Sequence, residues 1–220
     1  MQDIQQLSTA ELQELLEEEY MKLIDVRPID AYNGWRMQNE ARGGHIRGAK
    51  ALPARWAEYM DWIEVVRHKQ ILPGDRIVVY GYQQEEILKV AKLFVKAGYA
   101  RVGVYLHFVS EWSKSPGLPM DHLARYKQLV PPEWIQTIQA GGNPEHPPEG
   151  PLVICHAHYR NRDAYLSGHL PGAIDLDTLA LESPETWDRR SPKELKKALE
   201  EHGSSADTAV LLYGKYMDPD

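Results

Sequence analysis

One cysteine in 220 residues leaves no possibility of an internal disulfide framework, and it limits any thiol chemistry carried by the chain itself to Cys155. No apolar run approaches the roughly 18 residues that a membrane-spanning helix requires. The opening MQDIQQLSTAELQELLEEEY is acidic, where a secretory leader would be basic and then apolar. Basic clusters are also missing. With 25 Lys and Arg against 32 Asp and Glu, the net charge is -7, and no Lys/Arg-rich stretch could displace the counterions of a nucleic acid. These absences argue against a nucleic-acid partner and against a membrane span, and they leave the compartment open. What remains, 43% hydrophobic and 26% charged residues, is the composition of a globular protein with ample core.

Within that ordinary composition one stretch is written twice. YLSGHLPGAIDL, from Tyr165 to Leu176, has a weaker copy in GGHIRGAKAL, from Gly43 to Leu52. In each, glycine permits close backbone approach or φ > 0, the apolar residue enters the core, and the histidine can bond to backbone. His45 and His169 are therefore read as structural. A repeated signature of this kind marks a duplicated fold unit.

Around the first copy, Ser8 and Glu11 form a capping-box pattern that predicts a helix over residues 7–16. KLIDVR, Lys22 to Arg27, reads as a buried strand that delivers Asp25 and Arg27 to a loop at Pro28. Tyr32, Trp35 and Arg36 lie in an insert running to Gly43. An irregular helix is expected over 54–66, ending near the turn Pro73-Gly74. RIVVY (76–80), the helix 85–96 closed by Gly98, and RVGVYL (101–106) then give strand, helix, strand. The second unit opens at Val130-Pro131-Pro132 and passes a Gly/Pro-rich loop from 141 to 151. Strands are expected at 152–155 and 208–213, with an amphipathic helix at 192–201.

Tyrosine, three residues and His-Leu-Pro-Gly-Ala, together with Leu-Ile-Asp-Val-Arg before the first copy and Glu111-Trp112 near Gly117-Leu118-Pro119, resemble the rhodanese family of sulfurtransferases. The resemblance implies an α/β fold of tandem rhodanese-like domains, each a parallel sheet flanked by helices. Domain one would span 1–128 and domain two 129–220. Domain two is expected to be incomplete, because the helix and strand that follow Tyr80-Gly81 in the first unit have no counterpart after Tyr213-Gly214. The expected partner is therefore a C-terminal remainder of the same protein, or a second chain that completes the unit.

The resemblance also implies sulfane-sulfur transfer from thiosulfate-type donors to cyanide or a thiol acceptor through a cysteine persulfide, with a small sulfur-containing substrate and no cofactor. In that chemistry the thiolate sits in a loop of inward-pointing N–H groups at a helix start. The matching positions here are Gly81 and Gly214, so neither unit carries the family cysteine, and Glu85 and Glu86 add negative charge after the first loop. Multi-domain relatives commonly keep the working cysteine in their last domain, which places it outside this chain. Some three-domain relatives are exported, which leans the expected location to the periplasm, with the cytoplasm as the alternative.

Cys155 is the rival site, because Cys155 and Arg160 have the four-residue separation of a rhodanese active loop. Against it, Gly168 follows Arg160 by only eight residues, too few for the active-loop helix. Cys155 is then a buried strand residue near the counterpart of Asp25. A phosphatase-type loop would need its arginine at Asn161. His156 and His158 alternate along a strand and would face one side, the pattern a metal site would need; no metal is expected. Asp25 and Arg27 are substrate-binding candidates, since open α/β sheets bind ligands at the carboxyl ends of their strands, although such a pair more often ties a loop to the core. A non-catalytic scaffold is the second functional reading.

Overall fold

Ser8 opens the first helix as the capping box predicts, accepting from the Glu11 N–H while the Glu11 carboxylate accepts from the Ser8 N–H. The computed structural model describes residues 4–59 and 61–214, which divide into two compact units, 1–132 and 133–220. Lys215 to Asp220, after the last expected strand, lie outside the described residues.

In chain order the first unit runs β1 (Gln5–Leu7), α1 (Thr9–Leu15), β2 (Met21–Asp25), α2 (Ile29–Asn33), β3 (His45–Ile46), β4 (Lys50–Ala51), α3 (Trp56–Tyr59), α4 (Trp62–His68), β5 (Arg76–Tyr80), α5 (Gln84–Lys96), β6 (Arg101–Tyr105) and β7 (Met120–Asp121). The sheet has order β1-β6-β5-β2-β4 with every pair parallel, and β3 pairs with β7 antiparallel. Parallel strands buried on both faces need apolar residues at successive positions, and β5 supplies them in Ile77, Val78, Val79 and Tyr80. Alternate residues then divide between two cores. Ile24, Ile77, Val79 and Val104 pack with Ile87, Val90 and Phe94 of α5, while Leu23, Val78, Tyr80 and Tyr105 pack with Leu12, Phe108 and Trp112. Gly98, at φ +93, ends α5 in the left-handed conformation that a side chain would disfavour.

The second unit contains α6 (Pro132–Gln139), β8 (Leu152–His158), α7 (Arg162–Ser167), β9 (Ile174–Asp177), α8 (Pro192–Glu201) and β10 (Ala209–Tyr213), with a parallel sheet of order β10-β8-β9. Each strand has a counterpart in the first unit. Asp25 lies between Tyr80 and Ala51 in register, and His156 lies between Tyr213 and Asp175. Thus β8, β9 and β10 repeat β2, β4 and β5. Among the described residues β10 has no strand on its outer side, and Val210 and Leu212 are 43% and 53% exposed on one of its faces.

The duplicated motif folds the same way in both units. Tyr32 stacks on His45 at 3.8 Å and Tyr165 on His169 at 3.9 Å. Each histidine Nδ1 meets the carbonyl oxygen of its own stacked tyrosine, at 2.8 and 3.0 Å. The hydroxyls of Tyr32 and Tyr165 donate to the carbonyls of Ala49 and Ala173. The motif thus locks a tyrosine on the preceding helix against the turn that leads into β4 or β9.

Three segments differ from the sequence expectation. The chain leaves β2 at Asp25 rather than Arg27, because the Asp25 carboxylate accepts the Arg27 N–H at 3.0 Å and turns the backbone out of the sheet. Residues 54–66 hold two helices, α3 and α4, in place of one. β8 continues through His158 because β9 pairs with it from Cys155 onward, and the helix after Arg160, α7, has only 6 residues and repeats α2, whose Tyr32 matches Tyr165.

Candidate functional site

Both Asp25 and Arg27 are fully buried at the carboxyl end of β2. Arg27 Nη2 lies 2.6 Å from Asp25 Oδ2, Nε donates to Oδ1 at 2.9 Å, and the Tyr80 hydroxyl donates to Oδ2 at 2.7 Å. Nη2 also donates to the Gly44 carbonyl at 2.7 Å, and the Tyr80 oxygen accepts the Ile46 N–H at 3.0 Å. The pair therefore ties the Gly43–Ile46 turn to the sheet. Burial alone would push the guanidinium pKa down, and the adjacent carboxylate more than offsets this, so Arg27 stands above the usual arginine value. Burial, with Asp25 adding to it, likewise pushes Tyr80 well above the ordinary phenol range. Arg27 stays charged and Tyr80 stays neutral at any working pH.

The loop after β5 is closed over this pair. The Arg27 guanidinium carbon lies 4.0 Å from the Phe108 ring centroid and 5.2 Å from that of Tyr82. The Tyr82 hydroxyl donates to the buried Glu40 carboxylate, which also accepts the N–H groups of Met37 at 3.0 Å and Gln38 at 2.7 Å. At Gly81 a Cβ would stand 2.7 Å from Val26 Cγ2 and 3.3 Å from Ile87 Cγ1, closer than carbon atoms pack. Val26 fills the space that a side chain at position 81 would take. Glu85 and Glu86 open α5 just beyond it.

In the second unit the register positions of Asp25 and Tyr80 hold His156 and Tyr213, and His158 follows His156 by two residues as Arg27 follows Asp25. His158 Nε2 meets Asp175 Oδ1 at 2.6 Å and its Nδ1 accepts the Asn161 N–H at 3.1 Å, so both ring nitrogens are engaged. His156 is 3% exposed beside Tyr213 and Tyr165, and its nitrogens have no hydrogen-bond partner among the described residues. Leu170 N–H donates to the Tyr213 hydroxyl at 2.8 Å, as Ile46 N–H does to Tyr80. Among the described residues no group of three His, Cys, Asp or Glu side chains gathers in a way that could hold a metal ion.

Cys155 sits in the middle of β8, 2% exposed, between Ile174 and Leu212 in register, at the counterpart of Ile24. Arg160 is exposed beyond the strand end with its guanidinium over the Tyr159 ring, so the structure does not bring the two together. Burial pushes the Cys155 thiol up from its ordinary value, the opposite of what a persulfide carrier needs. Alkylation by a neutral maleimide at pH 8 is therefore expected to be at least about tenfold slower than for a free thiol and to reach the free rate only in denaturant. Equal rates in folded and denatured protein would place the thiol at the surface.

Sequence reasoning missed Glu40, Tyr80, Tyr82 and Phe108, which complete the first site from three segments, the insert, the end of β5 with its turn, and the loop after β6. Tyr80 was the most accessible of them, as the polar end of an otherwise apolar strand.

A rhodanese-like domain model matches residues 8–115. Over 206 residues the chain is 32% identical to the thiosulfate sulfurtransferase YnjE of Escherichia coli (strain K12), covering 91% of this chain and 45% of that protein. The wild-type structure of EanB matches with a TM-score of 0.91 at 54% identity, over 100% of this chain and 51% of that one. The anaerobic ergothioneine biosynthesis enzyme from Chlorobium limicola, solved with trimethyl histidine, matches with a TM-score of 0.90 at 54% identity, over 99% and 51%. The chain thus spans about half the length of these relatives. The residues that match the rhodanese-like domain model, 8–115, hold the buried Asp25–Arg27 pair and the closed Gly81 turn.

Proposed function

We propose that the chain is the non-catalytic amino-terminal part of a tandem rhodanese sulfurtransferase, whose sulfur-carrying cysteine lies on another module. The observation that carries this reading is Gly81, where Val26 leaves no room for a Cβ at the position aligned with the family thiol. In the whole protein a thiolate takes the outer sulfur of a thiosulfate-type donor, releasing sulfite, and passes it from the resulting persulfide to an acceptor. The two units of this chain supply neither the thiol nor its loop.

On the acceptor, the higher identity to the ergothioneine enzymes, 54% against 32% for the thiosulfate sulfurtransferase, favours a trimethylated histidine over cyanide. The partner is the module that bears the thiol, in the same polypeptide or a second one. The outer edge of β10 is open where β5 has β6 beside it, and Val210 and Leu212 are exposed on the face that their counterparts Ile77 and Val79 bury against α5, which supports a scaffolding role in the same assembly.

Thiocyanate formation tests the reading. The 220-residue chain, given thiosulfate and cyanide, is expected to show no turnover above the reagent blank, and Cys155→Ser is expected to leave the rate of the complete enzyme unchanged. Turnover by the chain alone that Cys155→Ser abolishes would overturn the proposal.

A further inference from the structure

The first sheet carries a cavity of about 210 Å³ at the starts of β5 and β6, the opposite end of the strands from Asp25 and Arg27. Leu7 of β1, Leu15 of α1 and Val78 of β5 line it, and all three belong to the core between the sheet and α1. Gly103 makes the hollow. It lies in register between Val78 and Gln5, and where β6 would present a side chain to the α1 core it presents none. A Cβ there would stand 3.1 Å from the Gln5 carbonyl oxygen and 3.7 Å from Leu7 Cδ1, so any side chain would crowd β1 and occupy the space. A glycine inside a strand often marks a place where a ligand or another backbone comes close.

Two guanidinium groups border this hollow. Arg76 precedes Val78 by two residues and Arg101 precedes Gly103 by two, so both side chains leave the sheet on the α1 face, and the two are register partners on neighbouring strands. Like charges side by side in a sheet destabilise it unless something offsets them. Only one carboxylate does so here. Arg76 Nε lies 3.2 Å from Glu18 Oε2, whereas Arg101 donates to the Gly74 carbonyl and has no carboxylate partner among the described residues. Each guanidinium has five N–H donors, so the pair keeps several for an anion.

An apolar hollow with a doubly cationic rim selects a ligand by both features at once. An apolar cavity of about 150 Å³ takes up benzene, and drug-sized ligands need roughly 300 Å³ or more, so this one suits a tail of about five or six carbons. Guanidinium forks match a carboxylate in geometry as well as charge.

We infer that this cavity binds a small monocarboxylate with a short apolar tail, the tail lying among Leu7, Leu15 and Val78 and the carboxylate shared by Arg76 and Arg101. The site stands apart from the sulfur chemistry proposed above, and neither reading depends on the other.

Titration of the 220-residue chain with hexanoate, followed by the amide proton and nitrogen chemical shifts, tests it, with acetate and hexanol as probes that carry only the charge or only the tail. Hexanoate is expected to give saturable shifts at the amides of Arg76, Val78, Arg101 and Gly103. Acetate and hexanol are each expected to bind at least about tenfold more weakly. Arg76→Gln and Arg101→Gln should each weaken hexanoate by about tenfold, and Gly103→Val, which fills the hollow, should abolish saturation. Arg101 is exposed and Arg76 partly so, and circular dichroism of their variants should match the parent, which keeps the test readable even if Gly103→Val does not fold. The inference is overturned if hexanoate leaves these amides unshifted, if acetate or hexanol binds as tightly as hexanoate, or if neither arginine variant changes the affinity.

Discussion

Replacing Asp25 with Ala is expected to destabilise the first unit by about 3–5 kcal/mol, the cost of leaving one member of a buried ion pair without the other. The Asp25 carboxylate accepts from Arg27 Nε and Nη2, from the Arg27 N–H and from the Tyr80 hydroxyl, and none of these donors can turn to water because Asp25, Arg27 and Tyr80 are all fully buried. After the substitution Arg27 would retain only Gly44 and the neighbouring ring faces. Urea unfolding followed by tryptophan fluorescence reads the loss. The double replacement Asp25→Leu with Arg27→Met removes charge and counter-charge together and should recover most of the stability. A single-variant loss below about 1 kcal/mol would mean that the pair is solvated and the site open.

Placing a cysteine at position 81, where we propose that the family thiol aligns, should fail as well. Gly81→Cys is expected to yield no sulfur transfer and to cost about 1–3 kcal/mol, because a Cβ at 2.7 Å from Val26 Cγ2 forces backbone or side-chain movement in a packed core. Relieving the clash with Val26→Ala would restore space but not chemistry. Tyr82 would still be anchored to Glu40, Phe108 would still cover Arg27, and Glu85 and Glu86 would still repel an anionic donor at the start of α5. Thiocyanate assays on the single and double variants check this, alongside their unfolding midpoints. Turnover by either would show that the loop is a competent cradle lacking only a thiol.

The two outcomes follow from different parts of the sequence. RIVVY and the periodic α5 were legible because their residues act locally: a run of apolar residues for a doubly covered strand, then a 3.6-residue stripe ended by Gly98. Asp25, Arg27 and the Gly81 turn were legible as a place, through the family pattern. Their state was not. Glu40 looks like any surface glutamate until the insert folds back and its carboxylate meets two N–H groups and Tyr82. The apolar run that opens at Leu152 ends at Cys155, and the strand runs on through His158 because β9 pairs with it as far as that residue.

Intact-mass analysis of the chain after incubation with thiosulfate or a low-molecular-weight persulfide is the most direct measure of whether it carries sulfur. Retention of the starting mass is expected, with Cys155 recovered as the free thiol on denaturation. Gain of one sulfur atom under native conditions, located at Cys155 and lost in Cys155→Ser, would contradict the proposal that neither unit of the chain carries a working thiol.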